Sequence, residues 1–137
     1  MYDPKGEKVG NDLPANNRSD ELAKTIGKDL VEKISNAKVF MIGAGAIGCE
    51  LLKNFAMVGV GSGAKGKIIV TDPDVIEVSN LNRQFLFREK HLRKPKSATA
   101  AAAACQMNPY LKDKVEARLD KVHPGTDDIY CESFFKE

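Results

Sequence analysis

The tightest constraint on this chain is the run Gly43-Ala44-Gly45-Ala46-Ile47-Gly48, set between an apolar segment and a helical pattern. The segment before it, Lys38 to Ile42, is short, apolar from Val39 onward and ended by a glycine, which predicts a buried parallel strand. After it, Ile47, Leu51, Leu52, Phe55 and Val58 recur at helical spacing across 46–58. Val60 to Gly66 reads as a loop, and Lys67 to Thr71 as a second buried strand. A strand, a helix and a strand in this order form a right-handed crossover with the strands parallel in one sheet. In such a unit the first glycine permits a tight turn, the second lets a ligand approach the backbone, and the third lets helix and strand pack closely. The unpaired amides and the helix dipole at that end favour an anion. The plain alternative is a turn that needs small residues for packing alone.

The flanking segments fit the same architecture. Residues 1–17 are rich in Asp, Asn, Gly, Pro and Lys without apolar periodicity, and read as a flexible tail or the end of a preceding domain. From Arg18 to Ile34, Leu22, Ile26, Leu30 and Ile34 recur every four residues, and Gly27 suggests two short helices rather than one. Val75 to Phe87 mixes polar and apolar residues and predicts a loop with a short helical turn. Pro95 precedes a strong helix over 97–107, which holds five consecutive alanines and is ended by Asn108-Pro109. Lys114 to Val122 reads as a third strand, and Asp127 to Phe135 as a final short helix. The fold class is α/β: a Rossmann-like nucleotide-binding fold, a parallel sheet of about three strands with flanking helices, occupying 18–137 as the first part of a larger domain.

Composition narrows the function. The 137 residues suffice for one domain, and 42% hydrophobic with 29% charged residues gives a globular core. A net charge of +2 does not argue for a nucleic-acid or membrane surface, and no apolar stretch reaches spanning length. Residues 83–96, however, hold six Lys/Arg against one Glu, so basic charge is concentrated there. Cys49, Cys105 and Cys131 are far apart and odd in number, which argues against zinc or a disulfide framework and fits a reduced compartment. Cys49 and Cys105 fall in helical patterns as small packing residues.

Asp72 ends the second strand, where an acid can accept both hydroxyls of a ribose; its alternative is a turn former before Pro73. Asp74 fits a turn, a local ion pair or a ligand equally. So far a nicotinamide-dependent oxidoreductase is still open. The basic segment favours a triphosphate instead, because attack at its α-phosphorus builds charge that fixed cations stabilise. Arg83 can fork two phosphate oxygens and Lys96 supplies a point charge. Arg88, Lys90, Arg93 and Lys94 read as a solvated basic face.

From Val39 to Thr71, and in Ser79-Asn80-Leu81-Asn82-Arg83-Gln84-Phe85-Leu86-Phe87-Arg88, the chain resembles the active adenylation domain of the ubiquitin-activating enzymes. It is similar, less closely, to activating enzymes of other ubiquitin-like modifiers and to bacterial adenylyltransferases of molybdopterin and thiamine synthesis. The resemblance implies adenylation of a modifier's C-terminal glycine with ATP and magnesium, release of pyrophosphate, thioester formation and transfer to a conjugating enzyme. It places Gly43, Gly45, Ala46 and Gly48 against the nucleotide and Asp72 on the ribose. Arg83 and Lys96 fall on the phosphates as catalytic cations, with Asn80 and Gln84 beside them. Cytoplasm and nucleus would be its setting.

Departures from that pattern carry expectations of their own. Family members are several times longer, no residue up to 137 matches the magnesium-holding aspartate, and none of the three cysteines matches the thioester cysteine. A fragment is expected, which binds ATP weakly, does not complete adenylation by itself and leaves the first strand as an apolar edge. The resemblance also implies an inactive adenylation half and a cysteine domain as partners elsewhere in the enzyme, and the remaining alternative is a non-catalytic nucleotide-fold scaffold that pairs with an active partner.

Overall fold

The computed structural model describes residues 18–136, so the reading of 1–17 lies outside the described residues. Helices α1 (Arg18–Ile26) and α2 (Lys28–Ser35) are separated at Gly27, whose φ of 89° breaks the helical path. Strand β1 (Lys38–Ile42), helix α3 (Ala46–Val58) and strand β2 (Lys67–Thr71) follow with the expected boundaries. Helix α4 (Lys96–Met107), strand β3 (Val115–Arg118) and helix α5 (Glu132–Lys136) complete the chain. The third strand is shorter than its pattern suggested. Leu119 lies outside it and is 58% exposed, because apolar alternation signals a strand only where a neighbour buries one face. The last helix starts later than expected, at Glu132, because residues 127–131 form turns and bends after a 3-10 turn at Pro124–Thr126.

The three strands are parallel in the order β1-β2-β3, with Val39 opposite Ile68 and Ile68 opposite Val115. Both crossovers run the same way along the sheet, so α3 and α4 share one face and pack on each other. Their small residues allow the approach: Cys49, Ala56, Ala100 and Ala104 are fully buried with Leu52, Ile68 and Val70. Asn108 locks the two helices, its Nδ2 donating to Ala56 O at 2.9 Å at the end of α3. On the opposite face Phe40 meets the rings of Tyr130 and Phe134, each 5.0 Å away, and the Arg118 guanidinium lies over Phe134 at 4.9 Å. Among the described residues strand β1 is a sheet edge, and Ile42 at its end is 63% exposed.

Candidate nucleotide site

The site forms where β1 and β2 end, the place parallel sheets offer to ligands. Gly43 turns the chain at a φ of 94°, which strains any L side chain, and its N–H donates to Thr71 O at 2.8 Å. A Cβ on Gly48 would stand 2.3 Å from Gly43 O, so α3 lies directly against the turn. Gly45 is different: a Cβ there would meet nothing within 4 Å. The backbone at Gly45 faces open space, in a groove of about 450 Å³ lined also by Ile42, Ala46 and Leu51.

Asp72 is buried, 5% exposed, and joins the two strand ends. Its Oδ2 accepts the Ala44 N–H at 2.6 Å and its Oδ1 accepts the Asp74 N–H at 2.8 Å. Each carboxylate oxygen keeps a further lone pair, so capacity for a hydroxyl donor remains. The link to Ala44 puts the acid of β2 against the glycine turn of β1, a juxtaposition that a separation of 28 positions hides in the sequence.

The loop from 73 to 95 then doubles back. Val75 bridges Pro95, the Ile76 N–H donates to Lys94 O at 2.9 Å, and the Lys96 N–H donates to Asp74 O at 3.0 Å. Ile76 and Phe87 are each 1% exposed and anchor the loop to the core; burying such side chains contributes about 1.5–3 kcal/mol each. This pairing delivers Lys96, the first residue of α4, to the Asp74 carboxylate at 2.8 Å.

Asn80 and Gln84 are buried within the same loop. Asn80 shapes its turn: Oδ1 accepts the Glu77 N–H at 3.0 Å, and its carbonyl accepts the N–H groups of Arg83 and Gln84. Gln84 Oε1 and Ser97 Oγ are buried with no hydrogen-bond partner among the described residues, a demand worth about 1–3 kcal/mol if left unmet. Arg83 is exposed, and its guanidinium turns back to Ser79 O at 2.5 Å and Asn82 Oδ1 at 3.1 Å. The structure thus brings Asp72 to the glycine turn and Lys96 to Asp74, while Arg83 stands on its own loop. Ser97 escaped sequence reading because a serine in an alanine-rich helix carries no signal of burial.

The other basic residues behave as a solvated face: Arg88, Lys90, Arg93 and Lys94 are exposed. Partial burial, with the charges of Lys90, Lys94 and Arg88, holds the His91 imidazole below its usual range. Cys49 is fully buried beneath the turn, and burial pushes its thiol up, as befits a packing residue. Among the described residues no cluster of three His, Cys, Asp or Glu is placed to hold a metal ion, and no helix is long and apolar enough to cross a membrane.

The family model for ThiF matches residues 18–137. The chain belongs to the ThiF family. Relatives include "Ubiquitin-activating enzyme E1 1" of Candida albicans, 55% identical over 127 residues, and "Ubiquitin-like modifier-activating enzyme 1" of Homo sapiens, 55% identical over 124 residues. These alignments cover 93% and 90% of this chain, which spans 12% of the length of either relative. Among solved structures, the E. coli tRNA N6-threonylcarbamoyladenosine dehydratase in complex with ATP superposes with a TM-score of 0.72 at 25% identity, covering 82% of this chain and 44% of that one. E. coli MccB with MccA-N7isoASN gives 0.71 at 30% identity, covering 85% of this chain and 34% of that one. The Rossmann-like class read from the sequence is that of these ThiF-type neighbours.

Proposed function

We propose that this ThiF-family chain seats ATP in an enzyme that adenylates the C-terminal glycine of ubiquitin or a ubiquitin-like modifier. The observation that carries the reading is the closure of Asp72 onto the glycine turn through Ala44, next to an open backbone at Gly45. The donor set fits an adenine nucleotide. Backbone N–H groups at the Gly45 opening and the start of α3 donate to phosphate oxygens, Ala46 lies beside them, and Asp72 accepts from ribose hydroxyls. Lys96 is held nearby by Asp74, Gln84 Oε1 is open to a donor, and the Ser97 hydroxyl can donate or accept. Arg83, free of the core, swings from Ser79 to the phosphates. ATP supplies an activated phosphorus to the modifier's carboxylate; Arg83 and Lys96 stabilise the charge passing to pyrophosphate. Magnesium, if bound, would neutralise phosphate charge there, and none of the described residues forms a group that would hold it.

Thioester formation and transfer to a conjugating enzyme then fall to other parts of the activating enzyme, in cytoplasm and nucleus. Titration calorimetry with ATP–magnesium and with NAD tests the site. Binding of ATP in preference to NAD is expected; NAD binding more tightly would make the chain an oxidoreductase domain. Pyrophosphate exchange in a full-length enzyme carrying Arg83→Ala and Lys96→Ala is expected to be lost, whereas wild-type exchange would leave the scaffold reading.

A further inference from the structure

The ion pair between Lys96 and Asp74 is built unlike an ordinary surface pair. Its cation is nearly enclosed, the Lys96 side chain being 10% exposed, while the Asp74 side chain is 64% exposed. A lysine usually extends its four-carbon stem to bring the ammonium to water. Here it is kept inward, 2.8 Å from the Asp74 carboxylate. The carboxylate in turn stands on a fixed frame. The Asp74 N–H donates to Asp72 Oδ1 at 2.8 Å, and Asp74 O accepts the Lys96 N–H at 3.0 Å. Asp72 Oδ2 continues the path to the Ala44 N–H at 2.6 Å. A single line of hydrogen bonds therefore runs from the glycine turn through Asp72 and Asp74 to the ammonium.

We propose that Asp74 is a positioning residue, whose carboxylate holds the Lys96 ammonium toward the phosphates of a bound nucleotide and so sets the preference of the site for a triphosphate over a nucleoside. The inference rests on the nucleotide reading above. An ammonium has three N–H donors, and Asp74 engages one, so the cation stays available to phosphate oxygens without leaving its partner. Asp74 does carry a negative charge that opposes phosphate. That charge faces water and is screened, whereas the cation it holds sits in a nearly dry position where its attraction is stronger. Position therefore outweighs repulsion. A partly exposed pair contributes little to folding, and the backbone links of Asp74 do not depend on its side chain, so the pair's effect falls on binding.

The test is titration of the 137-residue chain with ATP–magnesium and, separately, with adenosine. Wild type, Asp74→Ala, Asp74→Asn, Lys96→Met and the Asp74→Ala/Lys96→Met double variant are compared, with circular dichroism verifying the fold of each. Asp74→Ala is expected to weaken ATP about fivefold and to leave adenosine unchanged. Asp74→Asn, which keeps an acceptor, falls between it and wild type. In the Lys96→Met background the Asp74 change adds nothing, since there is no cation left to place. ATP bound as tightly or more tightly by Asp74→Ala, equal losses for ATP and adenosine, or additive effects in the double variant would each overturn the assignment. A wild-type chain that binds NAD in preference to ATP, or neither, refutes the nucleotide reading itself and this inference with it.

Discussion

Replacing Gly48 by Ala separates the packing role of the glycine turn from its ligand role. The added Cβ would lie 2.3 Å from Gly43 O and 3.0 Å from Gly43 C. Both are backbone atoms, so no side-chain rotation relieves the contact, and α3 must move away from the turn by about 1 Å. Leu52 and Ala56, both 0% exposed, lose contact as it moves. Overpacking of this kind costs about 1–3 kcal/mol or more, and the better helix propensity of Ala returns at most about 1 kcal/mol. The expected net loss is about 2 kcal/mol, read by urea unfolding as a midpoint lowered by about 1 M for a typical slope. Gly45→Ala is the matched control. Its φ of −76° suits alanine and its Cβ meets nothing within 4 Å. Stability should stay at wild type, while ATP affinity falls at least about tenfold, or 1.4 kcal/mol, because the methyl group fills the phosphate approach. Gly48→Ala unfolding at the wild-type midpoint, or Gly45→Ala losing as much stability, would refute the division of roles.

Other regions give sharper or simpler tests. Glu116 accepts from Lys67 Nζ and Arg118 Nε, both at 2.6 Å, and these bonds, that from Lys67 foremost, hold its carboxyl below the usual glutamate range. A depressed folded-state value means the pair stabilises above the unfolded value of about 4.3 and is lost as pH falls through the folded one. Glu116→Gln should therefore cost about 0.5 kcal/mol at neutral pH after screening and close to nothing well below that range, as measured by denaturation at both pH values. Asn108 is 1% exposed and bonds both Ala56 O and the Tyr110 N–H; Asn108→Ala should destabilise by about 1–3 kcal/mol in urea unfolding, with wild-type stability counting against its role as a lock. The free edge of β1, with Ile42 63% and Ile47 77% exposed nearby, should drive association at millimolar concentration; a strictly monomeric species in light scattering would contradict this.

The helices and strands around the glycine turn were legible because each carries its own period. Val39 to Ile42 is too short for a helix, Ile47 to Val58 recurs at helical spacing, and glycines punctuate both, so local chemistry alone sets β1, α3 and β2. Gly27 divided the first helical segment for an equally local reason. Asp72 could be named from its place after a strand, and Asp74 was open to an ion pair. What the sequence could not disclose is which groups meet. Asp72 reaches Ala44 because parallel pairing puts Ile42 opposite Thr71, and Asp74 reaches Lys96 because Ile76 and Phe87 bury themselves and fold the intervening loop back. Ser97, the partnerless Gln84 Oε1 and the outward stance of Arg83 likewise arise from packing between distant segments. Periodicity is a property of neighbours along the chain and determined the elements; burial and hydrogen bonding act across space, so only the tertiary structure decided how the site is wired.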